Sequence, residues 1–407
     1  MGFIHNIRQA FEDLGLRAKL GIVIGVLALP VIALVIVQYM DRNDQISLAQ
    51  SEADGMEYVA GVSTLLGDVQ RHRMFAAAVS AGDRNQQTNL ENASAAVDRD
   101  FEALKALDKK HGSAKTAELV SKIGSEWDLL KSGRQSNIAE ASISSHNRLV
   151  DEAILPLVFR IGNETGIYLD PEISTLNAIL GTTQELFGFS EAASRAGAYA
   201  AVIAANRAAG QPTGAALRAL LGAQLQIMSA RDESSRRWLE GAMADDARYE
   251  TALRPLVIEF QGKMASFADQ VDNLASASVL TATSADVLGQ GLASITASGA
   301  LFTAATDLVG KDLEARVSDA RRSLASALVL GVSAFLLAVA LAMVIARSIL
   351  TPINRLVEVA DRMSLGELDV EFDVTSKNEV GRLAESLQRM QMSLRGAIER
   401  LRARRAA

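Results

Sequence analysis

Apolar residues along this chain fall into two unbroken runs, with helical spacing between and after them. Leu20 to Met40 and Ser323 to Ala346 contain no Asp, Glu, Lys or Arg. About 20 apolar residues at 1.5 Å per residue cross a hydrocarbon core of roughly 30 Å, so both runs predict membrane-spanning helices rather than buried core helices. Pro30 interrupts the first run, which membrane helices tolerate. That run is longer than a signal-peptide core. Its end, Gln38, Tyr39 and Met40 before Asp41, has no small-x-small cleavage pattern, so it reads as an anchor, with Tyr39 at headgroup level.

Turn residues divide the stretch between the runs. Amphipathic helices are predicted from about Asp44 to Ala81, on to about Asp108, and from about Ser113 to Ile161 with a kink near Pro156. Gly82-Asp83 and His111-Gly112 separate these three. After a turn marked by Gly162, Gly166 and Pro171, a fourth helix covers about Ile173 to Ala209 and stops at Gly210-Gln211-Pro212. A fifth covers about Thr213 to Ala244. A sixth, with Pro255 near its start, begins near Asp245 and is expected to continue into the second apolar run. From Leu274 to Leu324 the sequence is rich in Ala, Ser and Thr. That composition fits either a slender helix seam or a low-complexity helix packed on its neighbours. The expectation is an all-α domain built as a double four-helix bundle, two stacked bundles sharing their long helices.

Beyond the second run, Ile353, Leu356, Ala360 and Met363 form a short heptad seam, and Val380, Leu383, Leu387, Met390 and Leu394 form another. Between them Leu368, Val370 and Phe372 alternate as an extended connector does. Pro352 after the span, Gly366 closing the first helix, and Asn378-Glu379-Val380-Gly381 opening the second resemble a HAMP domain. Asn378 stands where that family usually has Asp, and Asn also caps helices. The resemblance implies a parallel four-helix coiled coil in a homodimer. It also implies that Leu368 and Phe372 pack the connector onto the bundle and that Glu379 couples the two helices. The relay residues it marks are Pro352, Ile353, Leu356, Gly366, Leu368, Phe372, Glu379, Gly381, Leu383 and Leu387. Such a module converts a small shift of the membrane helix into a switch between two packings.

The remaining features narrow the class. The composition is 49% hydrophobic but 5% aromatic, which favours helix over strand. A net charge of −7 argues against a nucleic-acid partner. With no cysteine there is no disulfide, thiolate metal site or cysteine nucleophile. His5, His72, His111 and His146 lie far apart in sequence, so neither metal nor cofactor is expected. Arg8, Arg17 and Lys19 before the first run, and Arg347, Arg355 and Arg362 after the second, place both termini in the cytoplasm, although Arg321 and Arg322 flank the other side. The resulting division is a cytoplasmic segment 1–19, a span 20–40, a periplasmic sensor 41–322, a span 323–346, a HAMP domain 347–398 and a basic tail 399–407. The tail and the residues before it carry Arg395, Arg400, Arg402, Arg404 and Arg405, suited to a solvated helix end or to anionic lipid.

Ser63 to Phe75 resembles the first-helix motif of nitrate/nitrite-sensing and helical bimodular sensory domains. His146 to Glu172 resembles the turn segment of chemoreceptor outer domains. If so, Arg71, Arg73 and Arg195, with Arg236 and Arg237 behind them, are candidates to hold a small oxyanion or carboxylate. Arg71 and Arg73 are two residues apart on a helix, so at most one points inward. His72 reads as a packing or surface residue and Asp170 as a helix cap. No histidine follows His146, so no phosphoacceptor histidine lies after the second span. No nucleophile–base pair, metal cluster or phosphate loop marks an enzyme. The expected function is a receptor of the bacterial inner membrane. It would sense a small molecule, or a periplasmic binding protein, and relay to a chemotaxis-type or two-component output. That output is either missing from this chain or a separate cytoplasmic protein. The alternative is a structural envelope protein or a scaffold for a signalling enzyme.

Overall fold

The computed structural model describes residues 15–132, 138–276, 282–371 and 378–406, and every regular element among them is helical. The chain divides into two compact units, one of Asp44–Ala320 and one of Met1–Asn43 with Arg321–Ala407.

α1 (Leu16–Ser80) has residues in both and ends, in the first, where Gly82 takes φ +102°, a left-handed conformation that glycine adopts without strain. A short 3-10 turn capped by Asp83 leads into α2 (Gln87–His111). A capping box then starts α3 (Ala114–Lys131): the Ser113 hydroxyl accepts from the Thr116 N–H, and the Ser113 N–H donates to Thr116 Oγ1. The helix expected from Ser113 to Ile161 is in fact two. Ser132 caps the end of α3, and α4 (Ala139–Leu149) follows. The two run antiparallel, since Lys122 meets Glu152 and Arg148 meets Glu126. The kink expected at Pro156 is a π-turn at Val150–Ile154, immediately before α5 (Leu155–Thr165).

A second π-turn, Gly181–Leu186, joins α6 (Ile173–Leu180) to α7 (Phe187–Ala208). There Thr182 and Thr183 donate side-chain hydrogen bonds to Ala178 and Ile179 carbonyls, which loosens the helical ladder. Residues Ala192 to Ala205 of α7 are buried almost all round, and their small side chains let neighbours close in from every side. After Gly210 (φ +70°) come α8 (Ala215–Asp245) and α9 (Ala247–Ser276).

The sixth helix does not continue into the second apolar run, as the sequence suggested. A separate helix, α10 (Ser284–Ser364), returns antiparallel to α9, with Tyr249 bonded to Asp312 and Phe267 against Gly291. Its start is a capping box: Thr283 Oγ1 accepts from the Asp286 N–H, and Asp286 accepts from the Thr283 N–H. Val287, Ile295, Leu301, Val309 and Leu313 bury one face of its Ala/Ser/Thr-rich part, so this is a packed helix and not a slender seam.

The helices of Asp44–Ala320 form two four-helix groups, α1 with α2, α3 and α4–α5, and α6–α7 with α8, α9 and α10. They lie side by side rather than stacked. Glu52 meets Arg316 at one end, and Met74 lies against both Gly197 and Gly291 towards the other. In the second unit, the apolar runs of α1 and α10 are long enough to cross a membrane, and Val35 contacts the backbone at Gly331. Past Pro352, α10 ends at Ser364 and α11 (Glu379–Ala406) follows a connector.

Candidate functional site

Arg73 has no exposed surface. Its guanidinium grips Glu191 of α7 in bidentate fashion, at 2.6 and 2.8 Å. Nη1 also donates to Asn147 at 2.9 Å and Nε to the Ser194 hydroxyl at 3.2 Å. Arg195 reaches the same carboxylate at 2.6 Å and Asp151 at 2.5 Å, and Gln70 adds a bond to Glu191. Burial pushes the Glu191 carboxyl upward, but the two arginines outweigh it and hold its pKa near 2. Two cations and two anions thus close on each other. The counter-charge that sequence reasoning assigned to a bound oxyanion comes from Glu191 and Asp151, so Arg73 and Arg195 form an internal clasp between the two helix groups.

A histidine pair lies beside this clasp. His146 Nδ1 donates to the Ser142 carbonyl at 2.7 Å, which leaves Nε2 to accept from His72 Nδ1 at 2.8 Å. Trp127 meets the His72 ring edge-on, and its indole N–H donates to Asp98. Burial lowers both histidines, His72 to about 4 with Asp98 pulling the other way, and His146 well below the usual imidazole range. Both are neutral packing residues near neutrality.

Arg71 points elsewhere. It pairs with Asp68 and lines a cavity of about 480 Å³ between α1, α2, α7 and α10. Asp100 and Arg99 of α2 and Asp307 of α10 add charge to its walls, and Phe187 and Phe302 stack within it at 5.0 Å. Burial, reinforced by a hydrogen bond shared with Asp68, raises Asp100 to about 6. Arg236 and Arg237 are on the exposed face of α8, Arg237 opposite Glu233, and neither lines this cavity.

Two further clusters escaped the sequence because their members are distant in the chain. His111 sits between Asp54 and Glu57, donors spaced as a metal group could be, but Lys110 already neutralises Glu57 at 2.8 Å. An ion-pair cluster accounts for that arrangement. Glu52, only 1% exposed, has no hydrogen bond to either carboxylate oxygen. Arg316 lies 3.8 Å away and spends its Nη2 on Asp170 and Thr175. Burial first, then Asp170, raise Glu52 to about 7 against the pull of Arg316. Asp170 caps the turn before α6 by accepting from the Glu172 N–H.

The residues after the second run have their own geometry. Pro352 and Ile353 are half-buried, Leu356 and Met363 buried, so the first seam faces inward. The helix ends in a Schellman motif: Gly366 takes φ +93°, its N–H bonds to the Met363 carbonyl, and that of Glu367 to the Arg362 carbonyl. Asn378 caps α11 through the N–H groups of Val380 and Gly381, and Glu379 is exposed in the first turn. Gln391, missed because a polar residue breaks the seam pattern, donates to the carbonyls of Leu368 and Val370 and holds the connector to α11. Phe372 lies outside the described residues. On α11, Gly381 and Ala384 are buried and Leu387 half-buried, while Leu383, Met390 and Leu394 are exposed. The second seam therefore splits into an inward stripe and an uncovered one.

Residues 344–396 match the HAMP domain family. A protein of Acetivibrio thermocellus with the provisional description of sensory transducer protein is 43% identical over 60 residues, 15% of this chain and 11% of that protein. The chain therefore spans about a ninth of that relative's length. No solved structure matches. This is a HAMP-containing, all-helical chain with two helices apolar and long enough to cross a membrane.

Proposed function

We propose that the chain is a dimeric, two-span receptor of the bacterial inner membrane. Residues 41–322 detect a small molecule outside. The HAMP domain passes the signal to a chemotaxis-type or two-component output, on this polypeptide or on a cytoplasmic partner. One observation carries the reading: α10 runs from Ser284 to Ser364, through the second apolar run and into the HAMP match that begins at residue 344. A ligand that favours one setting of α10 outside biases the packing of its far end. Moving such an equilibrium from 1:99 to 99:1 takes about 5.5 kcal/mol of differential binding. The cavity between α1 and α10 suits this role, because both helices lead on into the apolar runs.

The uncovered stripe of Leu383, Met390 and Leu394 supports the dimer. In a parallel pair each copy covers the other's stripe. The chain has no cysteine, so a Leu383→Cys variant carries a single thiol. Oxidation of this variant in native membranes is expected to yield a disulfide-linked dimer, whose yield shifts when a ligand is present. Only monomer, across all oxidation times and with Met390→Cys as well, would exclude the paired coil.

A further inference from the structure

We propose that the cavity between α1, α2, α7 and α10 takes a small organic ligand through a primary ammonium group, seated between the carboxylates of Asp68 and Asp100. The receptor reading supplies the consequence of this binding, but the site itself rests on its own geometry. Asp100 Oδ2 is out of solvent and no protein donor reaches it, and the side chain's hydrogen bond to Asp68 exists only while the two carboxyls share a proton. A buried acceptor left in that state is costly, and an ammonium offers three donors to fill it. Asp68 shares a hydrogen bond with Asp100 and is held by Arg71. The charged lining residues are Asp68, Asp100 and Asp307 against Arg71 and Arg99, three acids to two bases, so the cavity has a place for one more positive charge. The Phe187–Phe302 stack gives an organic body or the cation itself an aromatic surface. About 480 Å³ falls within the usual range for small-molecule sites and is far more than a bare ammonium ion needs.

Binding is linked to a proton. Asp100 is raised to about 6 by burial and by Asp68. The groups facing it are Asp68 and Arg71 on α1, Arg99 on its own helix and Asp307 on α10; α7 contributes uncharged Phe187 and Ser190. An arriving ammonium favours the ionised carboxylate, so the proton shared by the two acids leaves to solvent. Affinity therefore rises as pH increases through 6.

Calorimetry on the full-length protein in nanodiscs, with butylamine, leucine and succinate as probes, tests this. Butylamine and leucine are expected to bind and succinate not to. Butylamine should bind about fourfold more tightly at pH 7.5 than at pH 5.5, with proton release at the lower pH seen as a buffer-dependent heat. Asp100→Asn should weaken it by about tenfold or more and remove the pH dependence. If that variant does not fold, the proton release of the unsubstituted protein still decides. Binding of succinate alone, amine binding without proton release, or no amine binding at millimolar concentration would overturn the proposal. Amine binding that leaves the Leu383→Cys crosslink unchanged would spare the site and count against the receptor reading. A crosslink that answers another ligand while amines do not bind would do the reverse.

Discussion

Replacing Arg73 with methionine is expected to destabilise the outer helical unit by about 3–5 kcal/mol, the cost of stranding a buried charge. Arg73 satisfies its guanidinium wholly inside the protein, through Glu191, Asn147 and Ser194. Without it, Glu191 retains Arg195 and Gln70, but its bidentate partner is gone and the helix groups lose their clasp. Urea unfolding of the full-length protein in detergent, followed by tryptophan fluorescence, measures the loss. Adding Glu191→Leu should recover much of it, since an apolar pair of similar volume often matches a buried ion pair. The acid side has a defined sign. Glu191 titrates lower in the folded protein than in the unfolded chain, so its stabilisation is full above about pH 4.5 and disappears as pH falls towards 2. A double variant more unstable than Arg73→Met alone would show that the bonds of Glu191 to Arg195 and Gln70, and not its pairing with Arg73, carry its contribution.

Glu52→Gln is expected to have the opposite effect, stabilising the same unit by up to about 3 kcal/mol at pH 8. The Glu52 carboxyl is buried without a hydrogen bond, beside Asp170, and is raised to about 7. A folded-state pKa above the unfolded one means stability is complete below about pH 4.5 and is lost as pH rises through 7. Unsubstituted protein should therefore gain melting temperature on acidification from pH 8 to pH 6, and the Gln variant should lose this gain. Equal slopes in the two proteins over that window would place the Glu52 charge in a solvated setting. Glu52 and Arg316 stand on α1 and α10, so this titration acts on the helices that lead into the apolar runs.

The helical class, the apolar runs and the HAMP pattern were legible because each depends on local spacing. Leu356 and Met363 turned inward as their heptad positions require, and Gly366 and Asn378 close and open helices as their residue types suggest. Two breaks were missed, at Ser132 and before Ser284. Ser132-Gly133 and Thr283-x-x-Asp286 are short polar signals set in long stretches that otherwise keep helical periodicity. Without those breaks, each predicted helix was too long, and the bundles appeared stacked instead of side by side. The arginine candidates illustrate the limit of a single chain read in order. Helix geometry predicts that Arg71 and Arg73 diverge, and they do, but nothing local reveals that Glu191, on another helix, neutralises Arg73. Likewise Asp68 with Asp100, and Glu52 with Asp170, become neighbours only through the packing of distant helices.

On the receptor reading, helices joined across a bilayer connect an external bundle to an internal HAMP coil. A membrane-impermeant maleimide applied to intact cells tests it directly, using single-thiol variants at exposed positions, Thr88→Cys in the bundle and Gln388→Cys in the coil. Labelling of Thr88→Cys in intact cells, and of Gln388→Cys only after the inner membrane is opened, is the predicted result. Equal accessibility of both thiols from one side would contradict it.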